Sequence, residues 1–330
     1  MKRILGIGNA LVDVMTLIDN EQVLEKFSLP KGSMQLVDGK KSASVKNGTK
    51  HFQRSLASGG SAANTIYGLA MLGTPSGFIG SIGEDETGDF FENDLKKSGV
   101  KTFLLRRKTV TGTAVALITP DSERTFATHL GAAVELNAGD LNPDDFKGFN
   151  ILYLEGYLIY NMPLVAEACK IAKKKKMKVA IDLSSYNVVE ANLQAFMEIV
   201  KNYADIVFAN EEEAKAFTGF GPKKSLDIIS GLCEIAVIKT GEKGSLIKRG
   251  EEVIRIGVPP VNPVDTTGAG DLYASGFLYG YSKNLVLEKC GIIGALMAGN
   301  VIETIGARMD QKRWAKVQKE IKQIVNAREF

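Results

Sequence analysis

The sequence predicts an α/β protein: a central, mostly parallel β-sheet with helices on both faces, plus a small second β-sheet serving as a lid. Three observations carry that expectation. Short β-rich runs alternate with helical patterns along most of the 330 residues, as they do where crossover helices join parallel strands. The runs are apolar at successive positions rather than at every second one, which marks strands buried on both faces. Two regions, near residues 12–53 and 101–130, break this rhythm with shorter or alternating strand patterns.

The parallel strands are expected at 4–8, 76–82, 151–154, 178–182, 206–209 and 235–239, with helices between them at 62–72, 89–97, 163–174, 192–201 and 211–218. After Asp265 the pattern turns helical, at 269–281, 286–304 and 313–326, with Trp314 packing the last helix. The first exceptional region offers strands at 14–18 and 34–37 and no long amphipathic helix; the second offers 102–105, 113–119 and 124–129. Both read as antiparallel. Together they are expected to form the lid of a single domain spanning residues 1–330. In an open parallel sheet ligands bind where strand ends meet helix N-termini, so the informative residues are sought there.

Bulk chemistry excludes several classes. The 41 basic and 38 acidic residues leave a net charge of only +3, too little field to argue for nucleic acid or membrane partners. The Lys173–Lys176 run, without interleaved aromatics, reads as a solvated helix end. Cys169, Cys233 and Cys290 show no metal-ligand spacing and read as small buried residues in a reducing compartment. The N-terminus runs straight into a strand pattern, and no apolar stretch is long enough to span a bilayer; the expectation is a cytoplasmic protein. His51 and His129, the two histidines, supply neither a His-rich metal site nor a Ser-His-Asp set. No phosphate-binding G-x-x-x-x-G-K-[ST] string occurs.

The most specific string is Asp265-Thr266-Thr267-Gly268-Ala269-Gly270-Asp271. Small residues at a helix start leave backbone N–H groups bare, and a helix N-terminus carries unpaired donors and partial positive charge. That is a cradle for an anion. Asp271, in the first turn, is placed to accept a proton from an attacking hydroxyl. The second string is Ser58-Gly59-Gly60-Ser61-Ala62-Ala63-Asn64: paired glycines admit close backbone approach, and Asn64 offers both donor and acceptor to a polyol. The third is Gly8-Asn9-Ala10-Leu11-Val12-Asp13, in which one carboxylate can accept from two neighbouring hydroxyls. Gly6-Ile7-Gly8 also begins a dinucleotide fingerprint, but Leu11 stands where its third glycine belongs; a Rossmann dehydrogenase is the weaker alternative.

On these strings the chain resembles the ribokinase-like (PfkB) family of carbohydrate and nucleoside kinases along nearly its whole length, and adenosine kinase-like members among them. The resemblance implies an ATP-dependent kinase that phosphorylates a hydroxymethyl group. Asp271 would be its catalytic base, and the Gly268, Ala269 and Gly270 amides its anion hole. It implies substrate contacts at Asn9, Asp13, Gly59, Gly60 and Asn64, and nucleotide contacts at Asn210, Thr240, Gly241, Gly244 and Asn300. Asn210 and Glu213 would order Mg²⁺, largely through water, although the same residues also suit a plain capped helix. Arg124 would either swing over the phosphates or be a solvated turn arginine. A monovalent cation such as K⁺ is compatible with the family. The acceptor is expected to be a nucleoside; ribose, fructose or ketodeoxygluconate-type sugars are the alternative, and a catalytically silent sugar-binding protein is a further one. Monomer and homodimer are both open.

Overall fold

Strand formation divides the chain into two sheets whose placement follows from how completely each strand is covered. The structure, a computed structural model, describes residues 1–121 and 123–327. The strands are β1 (Ile4–Ile7), β2 (Leu11–Leu17), β3 (Met34–Leu36), β4 (Arg54–Gly59), β5 (Ser76–Gly83), β6 (Lys101–Arg107), β7 (Thr111–Ile118), β8 (Arg124–Gly131), β9 (Ile151–Glu155), β10 (Lys178–Asp182), β11 (Ile206–Asn210), β12 (Ile235–Lys239), β13 (Ser245–Arg249) and β14 (Glu252–Ile256). The helices are α1 (Gln22–Lys26), α2 (Gly39–Gly48), α3 (Ser61–Met71), α4 (Glu86–Lys97), α5 (Met162–Lys174), α6 (Tyr186–Ala191), α7 (Leu193–Tyr203), α8 (Glu211–Thr218), α9 (Pro222–Ser230), α10 (Ala269–Ser282), α11 (Leu287–Val301) and α12 (Gln311–Asn326).

The large sheet has nine strands in the order β14-β13-β12-β11-β10-β9-β1-β5-β6, parallel except for the β12-β13-β14 meander at one edge. Its two faces bury separate apolar clusters. One gathers Ile66, Phe208, Phe277 and Trp314 beneath α3 and α10 to α12; the other gathers Leu152, Ile181, Phe196 and Ile238 beneath α5 to α9. Burial on both faces explains strands that are apolar at every position. Four neighbouring strands end on polar residues at the same edge: Glu155 on β9, Asp182 on β10, Asn210 on β11 and Lys239 on β12. The register pairs Asp182 with Glu155 and Asn210 with Lys239, so parallel pairing brings Asp182, Asn210 and Lys239 to the cleft while Glu155 stays buried beneath it.

The small sheet runs β3-β8-β7-β2-β4. It differs from the sequence expectation in three ways. Residues 101–107, assigned from sequence to the lid, form β6 and pair in parallel with β5 at the edge of the large sheet. An edge strand is covered less completely, and β6 shows this as half-burial along most of its length, which imitates an alternating pattern. The small sheet is also mixed rather than antiparallel, since β2–β7 and β3–β8 pair in parallel. Finally, α2 lies where no convincing helix was expected. Asp38 caps it by accepting from the Lys41 amide, but it buries only Ser42 and Val45, a stripe too thin to read as amphipathic.

Candidate active site

A cleft of about 960 Å³ opens between the strand ends of the large sheet and the small sheet. Its floor is the start of α10. Gly268 adopts a left-handed φ of 75° at the N-cap, and no side chain caps the helix. A Cβ on Gly268 would collide with Ala307, so glycine answers both the backbone angle and the crowding. The Ala269 amide donates to the Thr266 carbonyl at 3.1 Å and is therefore engaged. Among the described residues the amides of Gly268, Gly270 and Asp271 have no partner, and these are the donors available to an anion.

The carboxylate of Asp271 lines the cleft. It accepts from Ser61 Oγ at 2.7 Å and from Asn64 Nδ2 at 3.0 Å, both on the first turn of α3. Burial pushes it up to about 6, against the opposing effect of those two hydrogen bonds. Asp13, on β2 of the small sheet, also lines the cleft. Burial pushes it up to about 7, with Arg308 pulling down and Asp271 pushing up. Gly60 has φ of 93°, and a Cβ there would run into the Asn9 carbonyl. The Gly59 Cβ position is filled by the Asp13 carboxylate itself, so the paired glycines make room for Asp13.

The structure brings most of the expected residues together and moves several out. Asp13, Gly60, Asn64, Asn210, Glu213, Gly241, Gly244, Gly268, Ala269, Gly270 and Asp271 line one cleft. Asn9 does not: its amide and Nδ2 donate to Glu155 at 2.8 and 2.6 Å. That buried carboxylate, pushed by desolvation to about 7, also takes the Ala62 amide at 2.8 Å. Asn9 thus fixes the β1–β2 turn against α3. Thr240 closes its own turn through the Gly244 carbonyl at 3.0 Å. Asn300 bonds back along α11 to the Leu296 carbonyl at 2.9 Å, and Gly299 and Ile302 face the cleft instead. Arg124 is not a solvated turn arginine: it is buried, paired with Asp265 and bonded to Thr267 Oγ1 at 2.9 Å, next to Gly268 in the glycine loop. Asp265 in turn accepts from the amides of Thr267 at 2.9 Å and Gly306 at 2.6 Å. The small sheet is therefore latched to the glycine loop.

Asn210 and Glu213, the expected Mg²⁺-ordering residues, bond to each other. Glu213 accepts from the Asn210 amide and Nδ2, both at 2.7 Å, and Asn210 Oδ1 accepts from the Glu213 amide at 2.8 Å. This is a complete capping box. Among the described residues no cluster of three His, Cys, Asp or Glu side chains stands ready to hold a metal. The pair fits a cation ordered through water, not one bound directly.

Sequence suggests Ser61 as a helix cap, but Gly60 takes the N-cap without a side-chain bond and Ser61 Oγ serves Asp271 instead; Glu155, Asp182, Lys239 and Arg308 carry no site signal of their own. Asp182 accepts from the Ser184 amide at 2.9 Å and from Lys239 Nζ at 2.8 Å. Arg308 stacks on Tyr67, 3.4 Å from its centroid, and donates to the Ser58 carbonyl at 2.5 Å. The one available signal was position: Asp182 and Lys239 end predicted strands.

Fold and cleft together are those of a small-molecule kinase. Residues 34–313 match the model described as pfkB family carbohydrate kinase. The crystal structure of a probable sugar kinase protein from Rhizobium etli CFN 42 superposes with a TM-score of 0.87 at 32% identity, covering 97% of this chain and 98% of that one. Adenosine kinase from Sinorhizobium meliloti gives 0.86 at 34% identity, covering 97% and 99%. A nucleoside kinase of Methanocaldococcus jannaschii is 26% identical over 322 residues, 96% of each chain. The chain belongs to the pfkB family of carbohydrate kinases: it is an ATP-dependent phosphotransferase acting on an alcohol of a sugar or nucleoside.

Proposed function

We propose that the protein is a nucleoside kinase of the adenosine kinase type, phosphorylating the hydroxymethyl group of its acceptor with Asp271 as base. The observation that carries this is the Asp271 carboxylate standing in the cleft beside the unpartnered amides of its own helix start, with Asp13 lining the same cleft. Phosphoryl transfer requires positioning and charge stabilisation above all. The acceptor diol is gripped by Asp13. Its hydroxymethyl oxygen attacks the terminal phosphorus of ATP, and the charge spreading over the phosphoryl oxygens meets the Gly268 and Gly270 amides. Asp271, at about 6, is ionised at neutral pH but is far too weak a base to deprotonate an alcohol beforehand. It receives the proton late, as the new bond forms. Ser61 and Asn64 hold its two oxygens until the acceptor hydroxyl arrives. When bound, Mg²⁺ neutralises triphosphate charge, with Asn210 and Glu213 holding it through water. Arg124 ties the lid to the loop and keeps water out of the closed cleft.

The nucleoside reading is supported by the 34% identity to an adenosine kinase across 97% of the chain and by Phe126 and Tyr157, which line the cleft with aromatic surface for a base. A sugar acceptor is the second reading, supported by the Rhizobium etli structure and by 29% identity over 260 residues to 5-dehydro-2-deoxygluconokinase of Clostridium perfringens. The three unpaired cysteines support a reducing, cytoplasmic setting; no helix among the described residues is long and apolar enough to cross a membrane. ADP release measured across adenosine, other nucleosides, ribose, fructose and ketodeoxygluconate decides the acceptor. Adenosine is expected to give the highest kcat/KM, and a sugar better by tenfold or more overturns the nucleoside reading.

A further inference from the structure

The cleft that must receive a triphosphate is lined by Asp13, Asp182, Glu213, Glu242 and Asp271. Against these acids stands one basic side chain among the described residues, Lys239. It ends β12, and only 16% of its side-chain surface is exposed. Its ammonium donates one hydrogen bond, to Asp182 Oδ2 at 2.8 Å, and has two further N–H donors for which the structure shows no partner. It also abuts the phosphate cradle: a Cβ built on Gly270 would stand 3.1 Å from Lys239 Nζ. A cation held this close to the bare amides, beneath several carboxylates, is positioned for an anion that the acids alone would repel.

We propose that Lys239 is a catalytic residue that binds the terminal phosphate of ATP, with Asp182 as the positioning residue that holds the ammonium over the Gly270 amide. In the reaction the acceptor oxygen forms its bond to phosphorus as the bond to the bridging oxygen of ADP breaks. That oxygen leaves with the electron pair, and the hydroxyl proton passes to Asp271. Lys239 gives up no proton; its two unpartnered N–H groups meet the phosphoryl oxygens as their charge is redistributed. Asp182 keeps the ammonium from swinging toward Glu213 or out to solvent. Burial alone would favour the neutral amine, but the carboxylates of Asp182 and Glu213 more than reverse this and hold the ammonium above its ordinary range.

The proposal rests on the kinase reading of the cleft but is separable from the role of Asp271. Lys239→Met is compared with wild type for kcat, for affinity toward a non-hydrolysable ATP analogue and for affinity toward ADP. The expected result is a loss of about 10²-fold in kcat, analogue affinity weakened about tenfold or more, and ADP affinity changed by less than about threefold, because ADP lacks the phosphate in question. Lys239→Arg is expected to restore part of the analogue affinity. Because Lys239→Met leaves Asp182 buried and unpaired, the double variant Asp182→Asn/Lys239→Met removes both charges. It is expected to fold and to show the same discrimination loss. Asp182→Asn alone is expected to raise KM for ATP and to lower kcat by about tenfold, with a normal ADP affinity. If the double variant binds analogue and ADP as wild type does, or loses both equally, Lys239 does not contact the terminal phosphate and the proposal falls. Asp271→Asn with normal turnover would sink the base assignment while leaving this result standing.

Discussion

In the large sheet the inner strands β5 and β9 bury every residue; in the small sheet the inner strand β7 does so too, but both edge strands are open, β3 exposing Met34 and Leu36 and β4 exposing Ser55 and Leu56. The large sheet is covered on both faces by helices. The small sheet lends one face to the core through Val12, Val14 and Val115 and leaves Leu17, Leu36 and Leu56 exposed. The groups proposed to handle the nucleotide, Asn210 and Lys239, end strands of the well-covered sheet, and Asp271 starts a helix packed against it. Asp13 on β2 and Arg124 on β8 ride on the smaller sheet, and Arg124 meets the glycine loop through Asp265 and Thr267. Regions with fewer apolar contacts open at lower free-energy cost. The difference teaches that the proposed nucleotide side of the cleft rests on a sheet covered by helices on both faces, while the side carrying Asp13 rests on a sheet with open edges that is tied to the glycine loop through Arg124 and Asp265.

The comparison can be broken at several points, from large effects to small. Asp271→Asn is expected to lower kcat by about 10²–10⁴-fold with KM for ATP nearly unchanged; steady-state kinetics check both. Phe208→Ala, which empties a fully buried site against Phe277 at 5.3 Å between ring centroids, should cost about 3–5 kcal/mol in denaturant unfolding. Asp13→Asn is expected to raise KM for the acceptor about tenfold or more, the range for losing hydrogen bonds to a charged group. That penalty should vanish with an acceptor lacking one hydroxyl of the diol. At the far end, Leu56→Ala on the exposed face should stay within about 0.5 kcal/mol of wild type; a larger loss would mean that face is covered in solution.

Activity and stability are expected to run in opposite directions with pH. The buried carboxylates of Asp13, Glu155, Glu213 and Asp271 are raised to about 7, 7, 7 and 6, above their unfolded values near 4. Between those limits the folded state binds more protons than the unfolded one, so stability falls as pH rises from about 4 to 7. With Asp271 as the proposed base, kcat is expected to rise over the upper part of that window and level off above it. Melting temperature and kcat measured from pH 5 to 8 test this. A melting temperature that climbs in step with kcat would contradict the burial of these acids.

Local patterns made the frame legible. Apolar runs at 151–154, 178–182, 206–209 and 235–239 became β9 to β12 with boundaries nearly as read, because a strand buried on both faces writes that burial into consecutive residues. The Asp265–Asp271 string was legible because a bare helix start is a property of neighbouring residues. Edge strand β6, thin helix α2 and the β13–β14 hairpin were not, since partial burial leaves weak or ambiguous periodicity.

What sequence by itself determined was the sheet, the bare helix start and the position of the aspartate in the first turn of α10. Those depend on groups within a few residues of one another. Only the tertiary structure decided that Asn9 is tied to Glu155, 146 positions away, that Arg124 is locked to Asp265, and that Asp182 and Lys239 form one pair. Glu155, Asp182 and Lys239 end their strands, Arg124 begins β8, and Asn9 and Asp265 sit in loops; the partner each one meets lies too far along the chain for local sequence to show. Parallel pairing sets the ends of neighbouring strands side by side, and the low dielectric of the buried edge then makes their charges answer to each other.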